Sequence, residues 1–246
     1  VIERAKIVTT VSKTYAEEIK DPYYAYGLAG ILNARDYKIR GVVNGIDVDV
    51  FNPATDKNLV ANYTLKTVAK RTENKKALCE LMGFNYSPDR PLMVLISRLT
   101  EQKGIDLVAT VLDEMLQADI QLVVLGKGDW KYETILKNAE KTYNTKMRAI
   151  INFSQELASK LYGAADMFLM PSKFEPCGLG QMIAMRYGAV PIVRETGGLK
   201  DTVEAFNPVT QKGNGFTFKA YQAYDMLDAV WRTLGTYFDK NLWKKV

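Results

Sequence analysis

Glu175 lies in the stretch PSKFEPCGLGQ (171–181), in a turn poor in other polar side chains, a setting that stability alone does not explain. Pro176 forces Glu175 into an extended conformation, and Gly178 allows a close backbone approach. A helix is expected to begin at once, aiming the amides of Cys177, Gly178 and Leu179 into the same space. A carboxylate beside such amides can hold sugar hydroxyls while the amides face an oxyanion. The plainer alternative is an acid stabilised by the positive end of a helix dipole.

Three further loops invite the same question. SRLTEQKGID (97–106) puts Arg98 and Lys103 ahead of a helix opened by Gly104. Arg grips phosphate oxygens bidentately and Lys supplies a point charge, which suits a diphosphate, although surface solubility also explains two loop cations. RETGGLKD (194–201) holds Thr196, Gly197 and Gly198 before another helix, a pattern that exposes amides as an anion-binding nest. In LGKGDW (125–130), Gly126 and Gly128 bracket Lys127, with Asp129 placed to cap a helix; a tight turn needs those glycines whether or not they bind anything. Four such loops on one sheet edge carry more weight than any alone, because open α/β sheets bind ligands beyond the carboxyl ends of their strands.

Composition narrows the chemistry. The 246 residues include no histidine, which removes the usual general base and every Ser-His or Cys-His nucleophile arrangement. Carboxylates, cations and backbone amides remain. Cys79 and Cys177 are far apart and form neither a zinc spacing nor a disulfide framework; Cys79, among helix formers, is expected in the core. The net charge of +5 suits an anionic ligand, but the lysine cluster 70–76 has no interleaved aromatics for nucleic-acid stacking. No apolar run reaches membrane-spanning length and no apolar leader opens the chain, so the expectation is a cytoplasmic protein with neither nucleic acid nor membrane as partner.

The elements that must position these residues alternate between short β-branched runs and helical patterns, the mark of a parallel sheet with crossover helices and thus of an α/β fold. Strands are expected near 6–11, 40–44, 91–97, 120–125, 148–152, 166–170, 189–193 and 215–218. Helices are expected over 74–83, 104–117, 130–143, 155–164, 178–187, 198–206 and 221–236. The stretch 44–58, rich in Gly, Asp, Asn and Pro, reads as a linker. The abrupt ends read as a piece of a longer protein: 1–51 as the tail of a preceding domain with its linker, 52–236 as a nearly complete α/β domain, and 237–246 as the start of a cut segment.

Five segments carry a resemblance: VTTVS (8–12), VVNGIDVDVFNP (42–53), ISRLTEQKGIDL (96–107), the run from Gly163 to Val203 and GNGFTF (213–218). In this order and at these intervals the chain resembles bacterial glycogen synthases and plant starch synthases. That resemblance implies a GT-B architecture of two Rossmann-like domains, this chain being the carboxyl-terminal, donor-binding half and inactive alone. It implies retaining transfer of glucose from ADP-glucose to the nonreducing end of an α-1,4-glucan, with no metal and no cofactor beyond the donor substrate. The implied partners are donor, glucan and the amino-terminal domain of the same protein.

Carried over by position, Arg98 and Lys103 grip the diphosphate, Glu175 holds the transferred sugar, and Cys177–Leu179 with Thr196–Gly198 supply amides near phosphates and sugar. Phe153 falls where relatives place an aromatic that stacks on adenine, with a core role as the alternative, and Asn44 falls in the hinge region. A sister group carries a second Glu eight residues after the first, where this chain has Ile183. Two other readings stay open: a retaining transferase using UDP-glucose, and a noncatalytic sugar-nucleotide-binding module.

Overall fold

The computed structural model describes residues 2–246; residue 1, where the expected amino-terminal tail begins, lies outside them. The first strands pair with each other: β1 (Val8–Thr10) and β2 (Ile39–Gly41) form a parallel two-stranded sheet. Between them run two helices that periodicity did not reveal, α1 (Lys13–Glu18) and α2 (Ala29–Ala34). At six residues each they are too short to show an amphipathic repeat. Ser12 starts α1 by accepting a hydrogen bond from the Tyr15 amide at 2.8 Å.

Residues 42–64 form neither a strand nor an α-helix. Their turns are made by short side chains: Asp47, Asn52 and Asp56 each accept from the amide two residues on, at 2.9 to 3.0 Å. From Leu59 onward the linker is packed rather than loose. Leu59 and Tyr63 are buried, and the Tyr63 hydroxyl donates to the Tyr187 carbonyl at 2.8 Å.

The second lobe follows α3 (Arg71–Leu81) and is built on β3 (Leu92–Ile96), β4 (Gln121–Gly126), β5 (Met147–Ile151), β6 (Met167–Met170), β7 (Val190–Arg194) and β8 (Phe216–Phe218). All pair in parallel, in the order β5-β4-β3-β6-β7-β8. The crossovers are α4 (Ile105–Gln117), α5 (Trp130–Thr142), α6 (Gln155–Ala164), α7 (Gly180–Arg186) and α8 (Gly197–Thr202). α9 (Ala223–Phe238) and α10 (Lys240–Trp243) complete the chain, so the last segment continues α9 by two residues before turning.

Along β3, Met93 and Leu95 face one core with α4 and α9, while Leu92 and Val94 face the other with α3 and α6. Both faces of the sheet are thereby covered, which makes this a Rossmann-like parallel sheet with helices on both sides and explains the near-continuous apolar strands. Among the described residues no helix is long and apolar enough to cross a membrane.

Several boundaries differ from expectation: α3 starts at Arg71 instead of 74, β2 ends at Gly41 instead of 44, and most other ends shift by one or two residues. Two further shifts have a local cause. α8 stops at Thr202 instead of continuing to 206, because the chain beyond it turns extended and Ala205 bridges Gly215. α7 begins at Gly180 rather than 178, because Gly178 has φ +72°, a left-handed conformation that breaks the helical path.

Candidate functional site

The strand order makes β3, β6 and β7 neighbours, so the loops leaving their carboxyl ends meet. Glu175 comes from the β6 loop and Lys103 from the β3 loop, and their charged groups pair at 2.6 Å. Both are sheltered, with side chains 9% and 14% exposed. Ser172 donates to the same Glu175 oxygen at 3.0 Å. Sequence reasoning missed Ser172, although its place three residues before Glu175 was the available signal.

Arg98 is exposed on the same loop as Lys103, and its guanidinium donates to Gln102 Oε1 at 3.3 Å. The two loops are stitched by the Lys173 amide, which donates to the Gln102 carbonyl at 2.9 Å. Lys173 also pairs with Glu101 at 2.7 Å. That hydrogen bond holds the Glu101 carboxyl below, and the Lys173 ammonium above, their ordinary ranges.

The β7 loop joins through backbone. The Gly198 amide donates to the Glu175 carbonyl at 3.1 Å. A Cβ on Gly197 would stand 1.9 Å from that carbonyl oxygen, and one on Gly198 would stand 2.0 Å from the Cys177 carbonyl oxygen. These glycines are therefore required so that the loops after β6 and β7 can touch. Gly126 and Gly128 have the same explanation, lying against the carbonyls of Ser97 and Leu99. Asp129 occupies the cap position of α5 without a capping bond; Glu133 instead reaches back to accept from the Gly128 amide at 2.9 Å.

The amides expected to face an anion divide into two sets. Cys177, Gly178 and Leu179 form the turn ahead of α7 instead of its first turn, and among the described residues their N–H groups donate to no protein acceptor. Gln181, fully buried, braces this turn by donating to the carbonyls of Cys177 and Gly178. Thr196 and Gly197, in contrast, are already engaged. Thr196 Oγ1 and the Gly197 amide donate to the carboxylate of Glu18 at 2.9 and 3.1 Å. The contact is returned at the other end of α1, where Asp201 on α8 accepts from the amides of Lys13 and Thr14 at 2.6 and 3.1 Å. No sequence signal marks Glu18, because its partner lies 178 positions away.

Among the described residues, two expected residues make no hydrogen bond to this cluster. Phe153 follows β5 at the edge of the sheet and is 78% exposed, so its ring is not core. Asn44 is exposed on the segment that leaves β2.

A Lys–carboxylate pair of this kind can do two things at once. The ammonium can move to an incoming phosphate oxygen, and the released carboxylate can then accept hydrogen bonds from hydroxyls.

Comparison with known proteins gives the family of the chain. Residues 84–235 match the family model for glycosyl transferases group 1, and residues 1–34 match the starch synthase catalytic domain model. The chain is 53% identical over 240 residues to a glycogen synthase of Clostridium acetobutylicum, covering 97% of this chain and 50% of the relative. A glycogen synthase of Anoxybacillus flavithermus is 48% identical over 242 residues, with 98% of this chain and 50% of the relative covered. The chain thus spans about half the length of the curated relatives it matches. Among solved structures, the catalytic domain of starch synthase IV from Arabidopsis thaliana bound to ADP and acarbose superposes with a TM-score of 0.92 at 37% identity, over 99% of this chain and 52% of that one. The resemblance carried by the five sequence segments thus holds along nearly the whole chain, and the family match covers more than half of it: the chain belongs to the group 1 glycosyl transferases.

Proposed function

We propose that the protein transfers glucose from ADP-glucose to the nonreducing end of an α-1,4-glucan with retention, and that this chain supplies the half that binds the donor. The observation that carries the reading is the sheltered Lys103–Glu175 pair, on a rim that also carries Arg98 and the amides of Cys177–Leu179. Lys103 and Arg98 meet the diphosphate. When the bond between the anomeric carbon and phosphate breaks, its electron pair leaves with ADP, and preorganised cations and amides stabilise that charge as it develops. Glu175 orients the hydroxyls of the glucosyl group.

The exposed Phe153 ring serves adenine, and Asn44 serves the hinge near the cleft. ADP-glucose enters as a substrate, and the reading requires no resident cofactor. The acceptor and the amino-terminal half carried by the relatives complete the cleft. A cytoplasmic location suits two buried, unpaired cysteines.

Support comes from the glycogen synthase relatives and from the plant starch synthase solved with ADP. Titration calorimetry tests it. ADP and ADP-glucose are expected to bind this chain, with UDP competing poorly. Absence of heat at millimolar ADP, or a strong preference for UDP, removes the reading.

A further inference from the structure

Two groups meet the Glu175 carboxylate, and both meet the same oxygen. Lys103 Nζ pairs with Oε2 at 2.6 Å, and Ser172 Oγ donates to Oε2 at 3.0 Å. Among the described residues Oε1 accepts no hydrogen bond, and the buried side-chain atoms left without a partner are Arg71 Nε, Thr100 Oγ1 and Gln181 Oε1 alone. Oε1 is therefore the corner of a 7% exposed residue that reaches solvent.

The two partners differ in how firmly they are placed. Lys103 carries its ammonium on a flexible four-carbon stem, and the chemistry of the site needs that charge to move to an arriving phosphate oxygen. Ser172 has no such reach. Its Oγ sits directly on Cβ, the residue is fully buried, and the backbone on either side is pinned. A Cβ on Gly104 would stand 2.1 Å from the Pro171 carbonyl oxygen, so the β3 loop abuts the residue before Ser172. After it, the Lys173 amide donates to the Gln102 carbonyl at 2.9 Å, and Arg194 Nη1 at the end of β7 donates to the Lys173 carbonyl at 2.6 Å.

We propose that Ser172 is a positioning residue of the donor site: it keeps Oε2 anchored when Lys103 transfers to the diphosphate, so that Oε1 stays aimed at the hydroxyls of the glucosyl group. The inference deepens the donor-site reading above and rests on it. A carboxylate with one anchored oxygen cannot turn freely about its last torsion, which is otherwise broad. A sheltered charge whose counterion has been drawn away also keeps one donor, and a donor to a charged group is a strong one. Held in this way, Oε1 accepts from a sugar hydroxyl in a direction set before the substrate arrives, and no reorientation is left for the transition state.

The test uses the full-length protein that carries this chain, with ADP-glucose and maltohexaose as substrates and ADP as a calorimetric probe. Ser172→Ala is made alone and together with Glu175→Ala, and each variant is melted to confirm its fold. Ser172→Ala alone is expected to lower kcat about twentyfold, the scale of one hydrogen bond to a charged group, while ADP affinity and the KM for ADP-glucose stay within about threefold. In the Glu175→Ala background the same change is expected to cost less than about twofold, because a residue acting through Glu175 has nothing left to act on. Ser172→Cys keeps the volume and exchanges the hydroxyl for a weak donor, and it is expected to show the same pattern if Ser172→Ala fails to fold. Near-wild-type kcat in a folded Ser172 variant overturns the proposal, as does an equal loss in both backgrounds or a loss of ADP affinity parallel to that of kcat. A Glu175→Ala protein that turns over like wild type removes the donor-site reading itself and the inference with it, a failure distinguishable from the others.

Discussion

Glu175 occupies a sheltered position with Lys103 2.6 Å away and Ser172 donating to the same oxygen. Removing one partner strands the other, and a sheltered charge without its counterion is costly. Lys103→Ala is therefore expected to lower stability by about 3 kcal/mol, read as a drop in the denaturant midpoint, and to weaken ADP binding in calorimetry. Equal stability in that variant contradicts the pairing. Glu175→Ala separates binding from chemistry: in the full-length protein that carries this chain, turnover is expected to fall by about a thousandfold while ADP affinity stays within about threefold. Near-wild-type rates end the role assigned to Glu175.

At the scale of elements, the site depends on loop backbones that touch. Gly197 has φ +45°, and any side chain there meets the Glu175 carbonyl at 1.9 Å. Gly197→Ala is expected to cost about 3 kcal/mol or more in thermal or chemical melts, by pushing apart the loops after β6 and β7. A melt like wild type shows that the loops yield freely. These loops were legible in sequence because the strands feeding them are apolar throughout and end in Gly, Pro and charged residues, as Met167–Met170 does before Pro171 and Glu175. Helices α4, α5 and α6 were equally plain, each having at least ten residues over which an apolar stripe repeats. α1 and α2 were not, since six residues hold fewer than two turns. Within the site, residue types located Lys103 and Glu175, but only the strand order shows that their loops adjoin. Contacts made across the chain, such as Glu18 with Gly197 and Tyr26 with Phe174, leave no local pattern to read.

At the scale of the whole molecule, the small first lobe is held to the second by helices that stabilise each other's amino ends, Asp201 at α1 and Glu18 at α8. Desolvation pushes the Asp201 carboxyl up, but hydrogen bonds from Thr14, Ser12 and the Lys13 amide outweigh it and leave the group below its ordinary value. A depressed carboxyl contributes stability that is complete above the unfolded-state pKa of about 3.9 and is lost as pH falls through the folded value. The amide resonances of Lys13 and Thr14 are therefore expected to titrate with a midpoint below about 3.9, and Asp201→Asn to abolish that titration. A midpoint at or above the ordinary value refutes the contact. The other half of this arrangement reaches further. The Gly197 amide has one hydrogen to give, and the carboxylate of Glu18 holds it. An anion arriving at that amide enters by exchange, never by simple addition, and by thermodynamic reciprocity whatever loosens α1 raises the anion's affinity to the same degree that the anion loosens α1.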